Sequence, residues 1–224
     1  MEAMNMAESV DGLKTVAQLI AEKIEEGILN GNFPLGMRLV QTQLSEMFGV
    51  SRLPVRDALH ILEQKGLVVQ IPRKGVVIRP VNLKEIENLF ELREVIESHA
   101  ASVSIPHLTP GDIQELEMLI NQQATCQDQV LHTIDIDEQF HDKLLCHCEN
   151  EDLTEILHSI WRRIRVYRAY VHKVERWNDE SILSHKNILQ AIQNGDSNGA
   201  VQYFKASVEQ TKNRFVELIS ALKP

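Results

Sequence analysis

The stretch Gly49-Val50-Ser51-Arg52-Leu53-Pro54-Val55-Arg56 limits what this chain can fold into more than any other. Leu44, Met47 and Phe48 precede it at helical spacing, so Thr42–Phe48 reads as a short helix. Gly49 ends that helix and can adopt the left-handed turn that helix ends favour. Ser51 suits the N-cap of a second helix, and Pro54 falls in its first turn, where a missing N–H costs nothing. Val55, Ala58, Leu59 and Leu62 then line one apolar face. Two short helices across a tight glycine turn make a helix-turn-helix. Beyond it, Leu67–Ile71 and Val76–Ile78 are β-rich runs flanking the turn Pro72-Arg73-Lys74-Gly75. That is a hairpin, or wing, with a basic tip. Ahead of it, Val16, Leu19, Ile20, Ile24 and Ile28 predict a bracing helix over Leu13–Asn30, with residues 1–12 expected to fray. Residues 1–79 are thus expected to form a winged helix-turn-helix of three helices and a hairpin.

The second helix carries the chemistry. Arg52 and Arg56 are four apart and leave on the side away from Val55, Leu59 and Leu62. Guanidinium forks at the start of a recognition helix suit guanine edges or phosphates. Ser51 and Leu53 share that helix end. Arg73, Lys74 and Gly75 at the wing, and Arg38 before the first short helix, are placed to reach phosphates or a minor groove. A packing helix with a solvated arginine face is the bland alternative. Cap, proline, arginine pair and basic hairpin agree with each other, which favours duplex DNA as the partner. The charge distribution points the same way. The whole chain is −9, yet residues 38–79 hold seven Lys/Arg against three acids, and residues 81–224 hold fourteen against twenty-three. A basic head on an acidic body marks a domain boundary and leaves DNA one face to dock on.

The residues Phe33-Pro34-x-Gly36-x-x-Leu39, Gly-Val-Ser-Arg-x-Pro-Val-Arg-x-Ala-Leu, Leu-Glu-x-x-Gly-Leu-Val and Pro-Arg-x-Gly resemble the GntR family of bacterial winged-helix transcription regulators. The likeness runs over residues 14–79. Leu53 stands where that family often has Thr, and Gln41 where it often has Glu. These departures touch base preference or local capping rather than the fold.

Residues 80–224 read as helix nearly throughout. Asn82 is a plausible cap, with Glu85 three residues on. Helical periodicity predicts Leu83–Ser104, Asp112–Gln127, Val130–Cys148, Asp152–Val174, Ser181–Gln193 and Ser197–Leu222, with a break at Pro106–Gly111. About six helices on short loops make an all-α antiparallel bundle. Within it, Asp137 and His141 lie at i and i+4 on one face, and His185 comes from a later helix. Carboxylate and imidazoles converging in a bundle can hold a divalent ion. Taken alone, Asp-x-x-x-His more often marks a surface ion pair or a core histidine.

Asp137-x-x-Phe140-His141, Asn150 and His185-x-x-Ile188-x-x-Ala191-Ile192-x-x-Gly195-Asp196-x-x-x-Ala200 are similar to the helical effector domain (the FCD domain) of the FadR-type branch. In metal-binding members of that branch, one Asp and three His hold an ion at the floor of an effector pocket. The resemblance assigns Asp137, His141 and His185 to three of those positions, and puts Ser207 at the fourth, where an effector carboxylate could fill the gap and Ser207 is expected to face it. A hydroxyl is a poor ligand for zinc or nickel, so the site could hold zinc, nickel or manganese through three ligands and water, hold it weakly, or have lost it. The resemblance also implies that Arg93 grips an effector carboxylate; a solvated pair with Glu97 four residues on is the other reading. Arg162, Arg163, Arg165 and Arg168 wrap their helix and read mostly as surface. The remaining histidines suggest no second constellation.

No apolar run is long enough to span a bilayer, and the first residues lack a signal pattern. Three cysteines without metal-finger spacing suggest reduced thiols in a cytoplasm. There is no nucleophile elbow, phosphate-cradling glycine loop or His-Glu-x-x-His. A metal-dependent hydrolase on the bundle is the rival from another class, and it would have no use for a basic wing. The expectation is therefore a non-enzymatic, homodimeric regulator. It would bind a palindromic operator in double-stranded DNA and a small carboxylate effector.

Overall fold

The computed structural model describes residues 14–126, 130–172 and 178–221. The chain divides into two compact units, Met1–Pro80 and Val81–Pro224. The first holds α1 (Val16–Leu29), α2 (Gln41–Phe48) and α3 (Arg52–Gln64), then strands β1 (Val68–Ile71) and β2 (Gly75–Ile78). α1 begins at Val16 rather than Leu13, because the Thr15 hydroxyl accepts from Gln18 N–H while the Gln18 side chain accepts from Thr15 N–H. Residues 1–12, expected to fray, lie outside the described residues.

Apolar side chains alone build this unit's core. Ile20, Ile24 and Ile28 of α1 are buried with Leu44, Val55, Leu59, Leu62, Val68 and Ile78. Val16, Leu19 and Met47, counted above on apolar faces, point outward and are about half exposed or more. Gly49 ends α2 at φ +66°, the left-handed conformation its position requires. β1 and β2 pair antiparallel from Val68–Ile78 to Ile71–Gly75. Residues 36–39 extend that pairing: Leu39 N–H donates to Val76 O at 2.9 Å and Ile78 N–H to Met37 O at 2.8 Å.

The second unit contains α4 (Leu83–Ser104), α5 (Pro110–Thr125), α6 (Val130–Leu144), α7 (Glu151–His172), α8 (Asn178–Gln193) and α9 (Ser197–Ala221). The break after α4 is a single 3-10 turn, Ile105–His107, followed by Thr109 capping α5 with Pro110 at its first position. Asn82, Asn150 and Asp196 cap α4, α7 and α9, each carboxamide or carboxylate oxygen accepting a backbone N–H three residues on. α4 packs on α7 and α9, α8 on α5 and α9, and α6 on α5 and α7. Leu116, Phe140, Leu144, Leu157, Ile188 and Phe204 are buried at the centre. Ile156, expected to face inward, is exposed. No described helix is long and apolar enough to cross a membrane.

Candidate functional site

Two sets of side chains carry chemistry, one on each unit. On the winged helix, Val55, Ala58, Leu59 and Leu62 bury one face of α3, which turns Arg52, Leu53 and Arg56 outward. Leu53 is 58% exposed. Arg56 rests on Asp57 at 3.3 Å, an exposed pair weak enough to exchange for another anion. Ser51 occupies the N-cap position of α3, but its side chain makes no capping hydrogen bond. The expected position holds without the capping bond, and the residue is exposed beside the arginines. Lys74 N–H donates to Ile71 O at 3.1 Å, closing the wing over Pro72-Arg73-Lys74. Arg73 takes φ +64°, uncommon for a residue with a side chain, and both Arg73 and Lys74 are exposed at the tip. Arg38 pairs its backbone with Val77, and its guanidinium lies 3.8 Å from where a side chain at Gly75 would begin. Arg38, expected to hold phosphates as Lys74 does, therefore lies against the wing.

The second set is inside the helical unit. Asp137 and His141 of α6 and His185 of α8 are buried, with potential ligand atoms within 4.8 Å of one another. His141 Nε2 lies 3.8 Å from Asp137 Oδ2, and His185 Nε2 lies 3.6 Å from Asp137 Oδ1. Phe140 stacks on His185 with centroids 3.8 Å apart. Gln123 Oε1 meets His185 Nδ1 at 2.9 Å, so Nδ1 carries the proton and Nε2 faces the carboxylate with its lone pair.

Three neighbours of this group were missed or misplaced in the sequence. Arg168, read as surface, is buried and donates from Nη1 to Asp137 Oδ2 at 2.6 Å. Ser181 donates its hydroxyl to Asp137 Oδ1 at 2.7 Å. Glu97 is fully buried and accepts from Arg93 Nε at 3.0 Å and from the Trp161 indole N–H. Arg93 is thus paired with Glu97, as its alternative reading held, but it is buried rather than solvated. Its Nη2 reaches within 3.5 Å of His141 Nδ1. Of the other arginines of α7, Arg163 joins Glu85 and Arg165 joins Asp135 and Glu138, while Arg162 is exposed as expected.

Electrostatics follow from this packing. Burial raises the Glu97 carboxyl above its usual range. Burial pushes Asp137 the same way and is the largest single influence, but the attractions of Arg168, His141 and His185 together outweigh it and hold the carboxyl well below the usual range. Burial, with Arg93 nearby, drives His141 far down, and burial lowers His185 to about 4. At neutral pH both imidazoles are uncharged.

Arg93, Asp137, His141, Arg168 and His185 line a cavity of about 40 Å³. Ser207 of α9 is on its wall, with Ser181, Ser184, Thr211 and Arg214. The residues expected at the ion site therefore do converge, Ser207 included. They do not fit a divalent ion as they stand. Both Asp137 oxygens already accept hydrogen bonds, a guanidinium occupies the side an ion would take, and the fourth donor is a neutral hydroxyl. A second group, Asp112, Cys146 and His147, also brings ligand atoms together, contrary to the expectation of one constellation. Its carboxylate is taken up by Thr109, Lys143 and His147, which tie the start of α5 to the end of α6.

Comparison with known proteins places these features. Residues 16–78 match the bacterial regulatory proteins of the gntR family, and residues 88–210, more than half the chain, match the FCD domain. The Nta operon transcriptional regulator of Aminobacter aminovorans is 25% identical over 84% of this chain and 89% of its own. The HTH-type transcriptional repressor RspR of Escherichia coli is 26% identical over 86% of each chain. A Rhodococcus structure described as a putative transcriptional regulator GntR superposes with a TM-score of 0.75 over 90% of this chain and 97% of its own; at 22% identity it speaks for the fold alone. Winged helix, helical unit and relatives agree, and this chain belongs to the GntR family of DNA-binding transcription regulators, with an FCD domain as its second unit.

Proposed function

We propose that this regulator binds a palindromic operator as a homodimer in the cytoplasm and represses until a small carboxylate effector enters the helical pocket. One observation carries the operator half. Arg52 and Arg56 stand exposed on the face of α3 opposite its buried stripe, at the end that a recognition helix presents to base edges. Arg38, Ser51, Leu53, Arg73, Lys74 and Gly75 then set register, mostly against phosphates. Two winged helices are needed for operator-level affinity, and Leu92 and Val95 form an outward apolar patch on α4 that suits a second copy. A repressing sign is in keeping with the related repressor from Escherichia coli.

The effector half rests on the buried pocket. Arg93 and Arg168 supply guanidinium forks, and Ser207 stands among hydroxyls on the wall. Effector binding would shift the balance between states of different operator affinity. A divalent ion (zinc, nickel or manganese) on Asp137, His141 and His185 is the second reading: the three converge and Gln123 orients His185, but an ion would have to displace Arg168 from Asp137.

The test is selection of genomic fragments on the full-length protein, followed by anisotropy on the recovered site. Wild type should bind in the nanomolar range as a dimer, and Val95→Glu should sediment as a monomer and bind poorly. A monomeric wild type that binds the site tightly would defeat the dimeric reading.

A further inference from the structure

The donor set around Asp137 matches a site whose cation is part of the protein. Arg168 reaches Asp137 Oδ2 at 2.6 Å from the neighbouring helix, and the Ser181 hydroxyl takes Oδ1 at 2.7 Å. A carboxylate so engaged has one acceptor direction of each oxygen taken by a fixed donor. His141 is turned as well. Arginine only donates, so where Arg93 Nη2 bonds His141 Nδ1, that nitrogen is the acceptor and Nε2 carries the proton. The nitrogen facing Asp137 then has no lone pair for an ion. Any dication would also sit beside two buried guanidiniums, where like charges repel strongly in a low dielectric. Meanwhile Arg168 is 7% exposed, lines both cavities that adjoin Asp137, and keeps a buried Nε without a hydrogen-bond partner. A buried N–H of that kind is costly unless something accepts from it.

We propose that Arg168 is the pocket's resident cation: it replaces a divalent ion, neutralises Asp137, and offers its free Nε–H to the carboxylate of a small hydroxy acid. The ligand class follows from the wall. Ser184 and Ser207 present hydroxyls on it, those of Ser181 and Thr211 donate to Asp137 and to the Ser207 carbonyl and keep acceptor capacity, and Arg93 lines the same cavity as Arg168. A carboxylate satisfies the guanidinium, and hydroxyl substituents bond Ser184 and Ser207 and donate to Thr211. Ser207 is then a ligand-facing hydroxyl in its own right. This deepens the effector reading above and rests on it.

The experiment uses tag-free full-length protein. Zinc, nickel and manganese are titrated alone by calorimetry, with metal content read by mass spectrometry. L-malate, citrate and D-gluconate are then titrated in the presence of EDTA, with thermal shift as the readout. Wild type should take up none of the ions and should melt at the same temperature with and without EDTA. At least one acid should raise that temperature in EDTA. Arg168→Lys keeps the charge, and so the fold, but lacks the fork; it should bind the acid about 10- to 100-fold more weakly, the cost of one charge-assisted hydrogen bond. The double variant Arg168→Gln with Ser207→His frees Asp137 and restores a fourth donor, and should gain zinc. One ion per wild-type chain, released by EDTA with a lower melting temperature, overturns the proposal. So does acid binding that needs zinc, or that is unchanged in Arg168→Lys. If no acid binds wild type with or without ions, the effector reading falls together with the anion role of Arg168. The metal titration still reports on its own whether Arg168 excludes the ion.

Discussion

Every buried polar or charged residue among those described lies in the helical unit; the winged helix buries none. The two units therefore use the same kinds of side chain in opposite ways. In the winged helix an apolar core holds a rigid scaffold, and the arginines hang outside it, each nearly independent of stability. In the helical unit Arg93, Glu97, Asp137, His141, Arg168 and His185 are part of the core itself. There, the proposed ligand contacts and the folding draw on the same atoms, so deleting one of these side chains disturbs both.

The sharpest way to break that contrast is to remove one arginine from each unit. Arg168→Ala leaves Asp137 buried without its partner and should cost about 3–5 kcal/mol of stability by chemical denaturation, the range for orphaning one member of a buried pair. Arg56→Ala should leave stability within about 0.5 kcal/mol of wild type. If the two variants melted alike, the distinction between the units would be lost. Next in size is pH. His185 is held near 4, against an ordinary value of 6.5. As pH falls below about 6.5 the unfolded chain takes the proton first, so stability is full above that value and declines toward pH 4, with about 3 kcal/mol from His185 and a further loss in the same direction from His141. Unfolding followed across that range in EDTA should show the decline, and His185→Gln should make it shallower, leaving the part due to His141.

The outer face is the milder side of the comparison. Arg56→Ala should weaken operator binding by about 1–3 kcal/mol and relax base preference. Intact operator binding at physiological salt would show that α3 does not read bases. Smallest of all, Lys74→Ala should weaken every duplex alike and lower the salt slope by about one. A loss confined to the operator would instead make the wing a base reader.

This division also explains what could be read from the sequence. The winged helix announces itself because its signals are local: Gly49, Pro54 and the hairpin turn each act within a few residues. Helix bounds in the second unit fell within a few residues of those expected, for the same reason. The pocket depends on five helices meeting, and Arg168 was lost among four arginines. A signal was present all the same. Leu157, Trp161, Ile164, Arg168 and Val171 recur at alternating spacings of four and three and are all buried. Arg168 thus occupies a core position on α7. On α4, Ile86, Phe90, Arg93, Glu97, Ala100 and Ser104 follow the same rhythm. Charged residues on the buried stripe of two helices mark an interior site. Which charges face each other is a tertiary fact that no stripe contains.

Trp161 gives the pocket an optical property. Its indole N–H donates to Glu97, its ring stands edge-on to His141 at 5.9 Å, and it forms part of the wall of the smaller cavity. An indole is solvatochromic, so its emission reports the field set by Glu97, Arg93 and whatever lies against His141. The chain has only two tryptophans, and Trp177→Phe would leave Trp161 as the sole emitter excited at long wavelength. On that background a change in emission on adding an acid would time pocket filling directly, without a label and without DNA. Mixing the same protein with fluorescent operator would then show whether filling precedes release or accompanies it.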